Sequence, residues 1–217
     1  MRAAISITKK TIFLLIVPLQ LSGPMSDYYV LWDVGQGQWL SHVKADQCLH
    51  YDVGGENKAS NLEEHCFQKE HLYTISHWDY DHYNFLKYLR RNYGAKKMQV
   101  NRNQIIYDKS EFKTKNDNSL VLQVEHILIS GDAGKKAEAK WYKLIQRPVK
   151  IYILGHHGSN TSSGDALLSH IAPSLRQTLC SARKAKYGHP HQKVKKRISK
   201  VQAPLICTQD WGNIVFR

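Results

Sequence analysis

Five short apolar runs of this chain each stop at an aspartate or a histidine. Residues 28–32 lead to Asp33, 48–51 to Asp52 and 72–76 to His77; 126–129 lead through Ser130-Gly131 to Asp132, and 149–154 through Gly155 to His156. Short runs of this kind, bounded by polar residues and glycine, read as buried strands. In layered α/β structures, groups placed just beyond strand ends converge on one edge of the sheet. A chain that repeats the arrangement five times is therefore constrained to an α/β fold with one polar site at a shared edge.

The remaining segments fit that frame. Residues 39–44 and 48–51 flank Ala45-Asp46-Gln47 and read as a hairpin ending in Asp52-Val53-Gly54-Gly55. Residues 61–68 read as a short helix. In 84–92, Phe85, Leu86, Tyr88 and Leu89 give a helix one buried face, with Gly94 to end it. Residues 99–107 contain a short strand, and 119–124 pairs with 126–129. Helices are expected over 135–146, 165–171 and 192–201, and strands at 178–181, 205–208 and 213–216. With 217 residues, no internal repeat and no Pro- or Ser-rich linker, one domain over 27–217 is expected.

The ends and the charge narrow the setting. Arg2, Lys9 and Lys10 precede the almost wholly apolar 11–21, and Ser22-Gly23 follow. Residues 1–24 read as a signal peptide or N-terminal anchor, so export to the periplasm, envelope or medium is expected; a misplaced start codon is the alternative. No later stretch is apolar enough to span a bilayer. The 31 Lys and Arg against 18 Asp and Glu give a formal charge of +13. Such a field favours DNA or another polyanion, although charge also keeps a secreted protein soluble. Lys193, Lys195, Lys196 and Arg197 form a candidate strand-binding face or a solvated helix face. The four cysteines, Cys48, Cys66, Cys180 and Cys207, form no C-x-x-C pair, which argues against a zinc ribbon. A Cys48–Cys66 disulfide and four free thiols are the two readings.

The chemistry concentrates in His77-Trp78-Asp79-Tyr80-Asp81-His82, where four potential ligands fall within six residues. Imidazole nitrogen and carboxylate oxygen suit zinc, manganese or iron. Adjacent Asp81 and His82 point in different directions, so the loop could serve two metals. Asp132 has two oxygens with which to bridge two cations. Within Gly155-His156-His157-Gly158-Ser159, a neutral histidine binds metal and a charged one protonates a leaving oxygen. His189, after Gly188, is a further candidate ligand. Trp78 and Tyr80 either stack on a base or sugar or wedge into the core.

In order along the chain, Asp33-Val34-Gly35-Gln36-Gly37, Tyr51-Asp52-Val53-Gly54, Ser76-His77-x-Asp79-x-Asp81-His82, Asn116-Asp117-Asn118-Ser119-Leu120-Val121-Leu122, Ser130-Gly131-Asp132, His156-His157-Gly158-Ser159 and Tyr187-Gly188-His189-Pro190 resemble the metallo-β-lactamase domain of ComEC-type DNA-uptake proteins. The resemblance spans about residue 28 to the C-terminus. It implies an αββα sandwich with one or two divalent ions, zinc or manganese, at the sheet edges. His77 and Asp79 would sit at one metal position and Asp81 and His82 at the other. Asp132 would bridge them, and His189 would complete the second. His156 would be a further ligand or the acid for the leaving oxygen, with Asp81 holding the attacking water. Asp33, Asp52, His157 and Ser159 would brace these groups. The wider superfamily usually has histidine where Asp79 and Asn116 stand, which makes manganese as plausible as zinc. The expected activity is hydrolysis of a phosphodiester such as DNA. Hydrolysis of another ester, lactone or β-lactam is an alternative, and so is a non-catalytic nucleic-acid-binding module. No nucleotide cofactor is expected.

Overall fold

Period-two alternation sets the layers. Successive side chains of a strand point to opposite faces. In β1 (Tyr28–Leu31), Tyr29 and Leu31 therefore enter one core while Tyr28 and Val30 enter another. Tyr29 and Leu31 pack with Ile127, Ile129, Ile151 and Ile153 of a second sheet. Val30 packs with Trp32, Trp39, Leu62 and Leu89 beneath helices. The second sheet repeats the rule, with Leu128 and Tyr152 facing outward against Trp141, Leu168, Val194 and Ile198. Three cores in series make four layers: helix, sheet, sheet, helix. Each fully buried aliphatic side chain contributes about 1.5–3 kcal/mol to this packing.

The chain is described here by a computed structural model covering residues 27–217. The segment read as a signal peptide or anchor, 1–24, lies outside the described residues. No helix among the described residues is long and apolar enough to cross a membrane. The first sheet has the order β12-β1-β2-β3-β4-β5, with β2 (Trp39–Val43), β3 (Gln47–Val53), β4 (Glu70–Thr74), β5 (Lys96–Lys97) and β12 (Ile214–Phe216). The second has the order β11-β10-β9-β8-β7-β6. It comprises β6 (Ile105–Tyr107), β7 (Val121–Val124), β8 (Ile127–Ile129), β9 (Ile151–Ile153), β10 (Gln177–Cys180) and β11 (Leu205–Cys207). In each sheet antiparallel strands give way to parallel ones: β3, β4 and β5 in the first, β8 to β11 in the second.

Helices α1 (Leu62–Cys66), α2 (Tyr80–Tyr83) and α3 (Leu86–Tyr93) accompany the first sheet. Helices α4 (Lys135–Trp141), α5 (Asp165–Ile171), α6 (Lys184–Tyr187), α7 (Gln192–Lys200) and α8 (Thr208–Trp211) follow the second. The helix expected over 135–146 ends early. A 3-10 turn at Tyr142–Leu144 tightens the chain there, so that Ile145 returns to the core before Arg147-Pro148. The two last strands stand in different sheets: β11 pairs with β10, and β12 crosses to pair with β1. Cys48 of β3 and Cys66 of α1 form a disulfide, while Cys180 and Cys207 are free and buried.

Candidate metal centre

The site is built at the ends of the parallel strands. Past β4 the chain passes through Ser76 and His77 and enters α2, which carries Asp81 and His82. Gly54, at the end of β3, lets that loop lie flat. A Cβ there would come within 2.3 Å of the Asp81 carbonyl carbon and 2.4 Å of the His82 nitrogen. From the second sheet, Asp132 follows β8 and the His156-His157 turn follows β9. Both histidines adopt left-handed backbone, with φ of 49° and 54°. For residues other than glycine that conformation costs of order 1–3 kcal/mol each, and here it turns the His157 ring into the site.

Four elements meet within ligand range. His77 Nε2 is 3.6 Å from Asp79 Oδ2 and 4.0 Å from Asp132 Oδ2. His82 Nε2 is 3.0 Å from Asp132 Oδ1 and 3.3 Å from His157 Nε2. His157 Nε2 is also 3.3 Å from Asp81 Oδ2 and 3.6 Å from Asp132 Oδ1. His156 Nε2 lies 3.5 Å from Asp132 Oδ2, and Asn116 Nδ2 donates to the same oxygen at 3.3 Å. Two overlapping groups result, one around His77, His82 and Asp132, the other around Asp81, His82 and His157.

The proton arrangement suits a cation. His82 donates through Nδ1 to Asp52 Oδ2 at 2.8 Å, and His157 donates through Nδ1 to the Ser181 carbonyl at 3.0 Å. His77 Nδ1 meets Ser76 Oγ at 3.0 Å, and that hydroxyl itself donates to Asp52. Each ring therefore turns an Nε2 lone pair inward. His77 Nε2 and Asp132 Oδ1 are buried without a hydrogen-bond partner. The close approach of His82 Nε2 to Asp132 is misaligned for a hydrogen bond. An unmet buried polar atom costs about 1–3 kcal/mol, and a cation satisfies these together. The donor set of imidazole nitrogens and carboxylate oxygens fits a divalent metal.

Charge agrees with geometry. Burial, with the neighbouring His82, holds the His77 pKa below its ordinary value. Burial opposes charge on His82 too, but the Asp132 and Asp52 carboxylates outweigh it and raise its pKa. Asp132 is likewise held low, burial being overcome by the surrounding histidines. The carboxylates thus demand positive charge at this point, which a proton or a metal ion supplies.

Asp52 gathers four donors beneath the cluster. It accepts from His82 Nδ1, from Ser76 N (2.7 Å), from Ser76 Oγ (2.8 Å) and from Gln38 Nε2 (2.9 Å). Ser159 braces His156 through Thr161, with Ser159 Oγ 2.9 Å from Thr161 Oγ1 and Thr161 Oγ1 3.1 Å from His156 Nδ1.

Four residues stand elsewhere than expected. His157, expected to brace the site, reaches into it. His189, expected to complete the second position, lines the cavity instead, its ring 6.2 Å from that of His156 and its Nδ1 unpartnered. Burial and the two nearby histidines lower the His189 pKa to about 4. Asp33 does not join the cluster. Its backbone is tied to Asn213 Oδ1, and from the same loop Gln36 and Gln38 reach the site. Arg197 is buried and donates to the carbonyls of Ser163 and Ser162 at 2.8 Å, so it holds the loop after the histidine turn and offers no charge to a strand. Lys193, Lys195 and Lys196 keep at least part of their surface in water.

A cavity of about 190 Å³ opens over the cluster, lined by Gln36, Asp79, Asp81, Asn116, Asp132, His156, His157, Tyr187 and His189. A groove of about 630 Å³ runs past Ser76, His77, Trp78, Lys97 and Lys115 between the sheets. Lys115 Nζ sits 3.3 Å from Asp79 Oδ1. Trp78 and Tyr80 are 57% and 71% exposed, so they stand on the rim and do not wedge into the core. Both pack edge-on against Tyr83.

No protein-family profile matches the chain. It is 29% identical to ComE operon protein 3 of Bacillus subtilis over 110 residues, 48% of this chain and 14% of that protein. It is 25% identical to Recombination protein 2 of Haemophilus influenzae over 239 aligned positions, 93% of this chain and 30% of that protein. The chain thus spans less than a third of either relative. Among solved structures, the metallo-beta-lactamase fold protein YhfI from Bacillus subtilis superposes with a TM-score of 0.59 at 10% identity, covering 88% of this chain and 99% of that one. The paired sheets, the ligand loops at their common edge and this structural match give the chain the metallo-β-lactamase fold, and its motifs resemble those of the ComEC-type proteins.

Proposed function

We propose that the protein is a metal-dependent phosphodiesterase acting on an extended polyanion, with DNA as the first candidate. The observation that carries this reading is an inward-facing His/Asp ligand set that opens onto a groove rimmed by exposed aromatic and basic side chains. His77, Asp79, Asp81, His82, Asp132 and His157 would hold one or two divalent ions, zinc or manganese. Such ions lower the pKa of water and neutralise charge on phosphoryl oxygens.

The chain's own residues would do the rest. Asp81, partly exposed to the cavity, orients the attacking water through its free carboxylate oxygen. His156, partly exposed and anchored through Thr161, presents Nε2 to protonate the leaving oxygen. Lys115 offers charge to the incoming phosphate, while Trp78 and Tyr80 offer faces on which bases stack. The +13 charge draws a polyanion to the surface. The name of the Haemophilus relative, Recombination protein 2, is consistent with DNA.

The test is cleavage of single-stranded DNA and of a small chromogenic phosphodiester, with zinc and with manganese, for wild type and Asp132→Ala. Metal-stimulated cleavage lost in the variant supports the reading. Equal inactivity of both proteins overturns it, and turnover confined to an ester, lactone or β-lactam panel reassigns the substrate. Export or envelope association is part of the proposal, supported by the Cys48–Cys66 disulfide, which oxidising compartments permit. Cell fractionation checks it.

A further inference from the structure

A second cluster of ligand-type side chains lies at the opposite end of the sandwich. His42, near the end of β2, is 1% exposed. One of its ring nitrogens and carboxylate oxygens of Asp27 and Glu125 lie within 4.8 Å of one another. Asp27 precedes β1, and Glu125 forms the turn between β7 and β8 with a left-handed φ of 53°. The three residues thus join the first sheet to the second. The segment through β7 runs from Ser119, at the metal centre, to Glu125 just past the strand's end; at about 3.3 Å per residue the two sites stand roughly 20 Å apart.

Three features point to a cation here. Two carboxylates converge, and among the described residues no Lys or Arg comes within 4.0 Å of either; Asp27 meets only His42 Nε2, at 2.5 Å. His42 brings its Nε2 to Asp27 on a side chain buried in the core. The Tyr29 hydroxyl is buried and unpartnered, on a side chain 2% exposed. Tyr29 stacks on His42 with centroids 4.0 Å apart, and its hydroxyl is close enough to Glu125 and Asp27 for their charge to act on it, so it faces the cluster. One imidazole and two carboxylates suit zinc or manganese, with water or the Tyr29 hydroxyl to fill a fourth position. Ligands bound at about 2.0–2.2 Å around a tetrahedral ion are spaced about 3.5 Å apart, so the hydrogen-bonded His42–Asp27 pair would part by about 1 Å to admit the ion.

We propose that Asp27, His42 and Glu125 form a second divalent-cation site that clamps the two sheets together at the end remote from the catalytic edge. Its role is structural, and it does not depend on what the first centre hydrolyses. Asp27 and Glu125 are both exposed, so Asp27→Asn with Glu125→Gln leaves the core intact. Zinc and manganese per chain are measured by elemental analysis after dialysis against each metal, for wild type, Asp132→Ala, the double variant and the combination. The double variant should lose about one ion per chain in both backgrounds, and the metal-dependent rise in melting temperature should shrink with it. Unchanged stoichiometry in both backgrounds overturns the site, as does a loss seen only where Asp132 is intact. Phosphodiesterase assays on the same proteins keep this outcome separate from that of the hydrolase reading.

Discussion

Replacing Asp52 by asparagine tests how the centre is held. Ser76 N–H needs an acceptor at Oδ1, so the new amide nitrogen takes the place of Oδ2. There it faces three donors: His82 Nδ1, Ser76 Oγ and Gln38 Nε2. To relieve the clash His82 must move its proton to Nε2, the nitrogen aimed at the cation position. Loss of a partner that fixes a ligand tautomer costs roughly 10–100-fold in metal affinity, or about 1.4–2.7 kcal/mol. Competition with a chromogenic chelator at neutral pH reads this directly. Circular dichroism and the intact Cys48–Cys66 bridge report that the fold survives. If the variant binds zinc and manganese within twofold of wild type, Asp52 does not set the His82 tautomer and the reasoning fails.

His157→Ala should lower metal content, whereas His189→Ala should keep the metal and act, if at all, on turnover; the reverse pattern restores His189 as the ligand. Trp78→Ala and Tyr80→Ala should each weaken single-stranded DNA binding by about 5- to 150-fold, the value of one base stack of about 1–3 kcal/mol, and leave hydrolysis of a small phosphodiester unchanged. Arg197→Ala should lower stability by about 2–4 kcal/mol in urea unfolding, since Arg197 makes several buried charge-assisted bonds. The salt dependence of DNA binding should not move with it, whereas glutamines at Lys193, Lys195 and Lys196 should flatten that dependence. Burial keeps His50 and His71, joined at 3.0 Å, uncharged, with pKa values below the ordinary one. The unfolded chain takes up protons below about pH 6.5 that these groups refuse, so their stabilisation is complete above that pH and is lost as pH falls toward the folded values. The urea midpoint of chelator-treated protein should therefore drop between pH 7.5 and 5.5, and His71→Phe should reduce the drop; an equal drop counts against the pair.

Much of the fold was readable because strand alternation and strand-end residues are local signals. Tyr29 and Leu31 against Val30, or Ile127 and Ile129 against Leu128, sort themselves by period alone. The loop from His77 to His82 was legible for the same reason: its ligands are neighbours in sequence. What decides between His157 and His189 is not local. It depends on two consecutive left-handed residues, which side-chain identity does not announce for histidine. For Arg197, a basic run on a helix shows charge but not which member faces inward. Its neighbours Val194 and Ile198, both buried, carry the helical spacing that turns Arg197 to the core. Gln36 and Gln38 are masked by their uncharged amides, and Asp33 stands out by ending an apolar run and by its place in the Asp33–Gly37 motif.

The pairing of β12 with β1 bears on how the chain reaches this state. Asn213 holds Asp33 across a separation of 180 residues, and Ile214 lies opposite Leu31. Until residues 214–216 arrive, β1 is an edge strand with unpaired backbone groups, a template for aggregation. Contacts this distant in sequence form slowly, because the closure entropy precedes the gain. Completion of the first sheet therefore waits on synthesis of residues 214–216, which serve as a cover for the strand made nearly two hundred residues earlier.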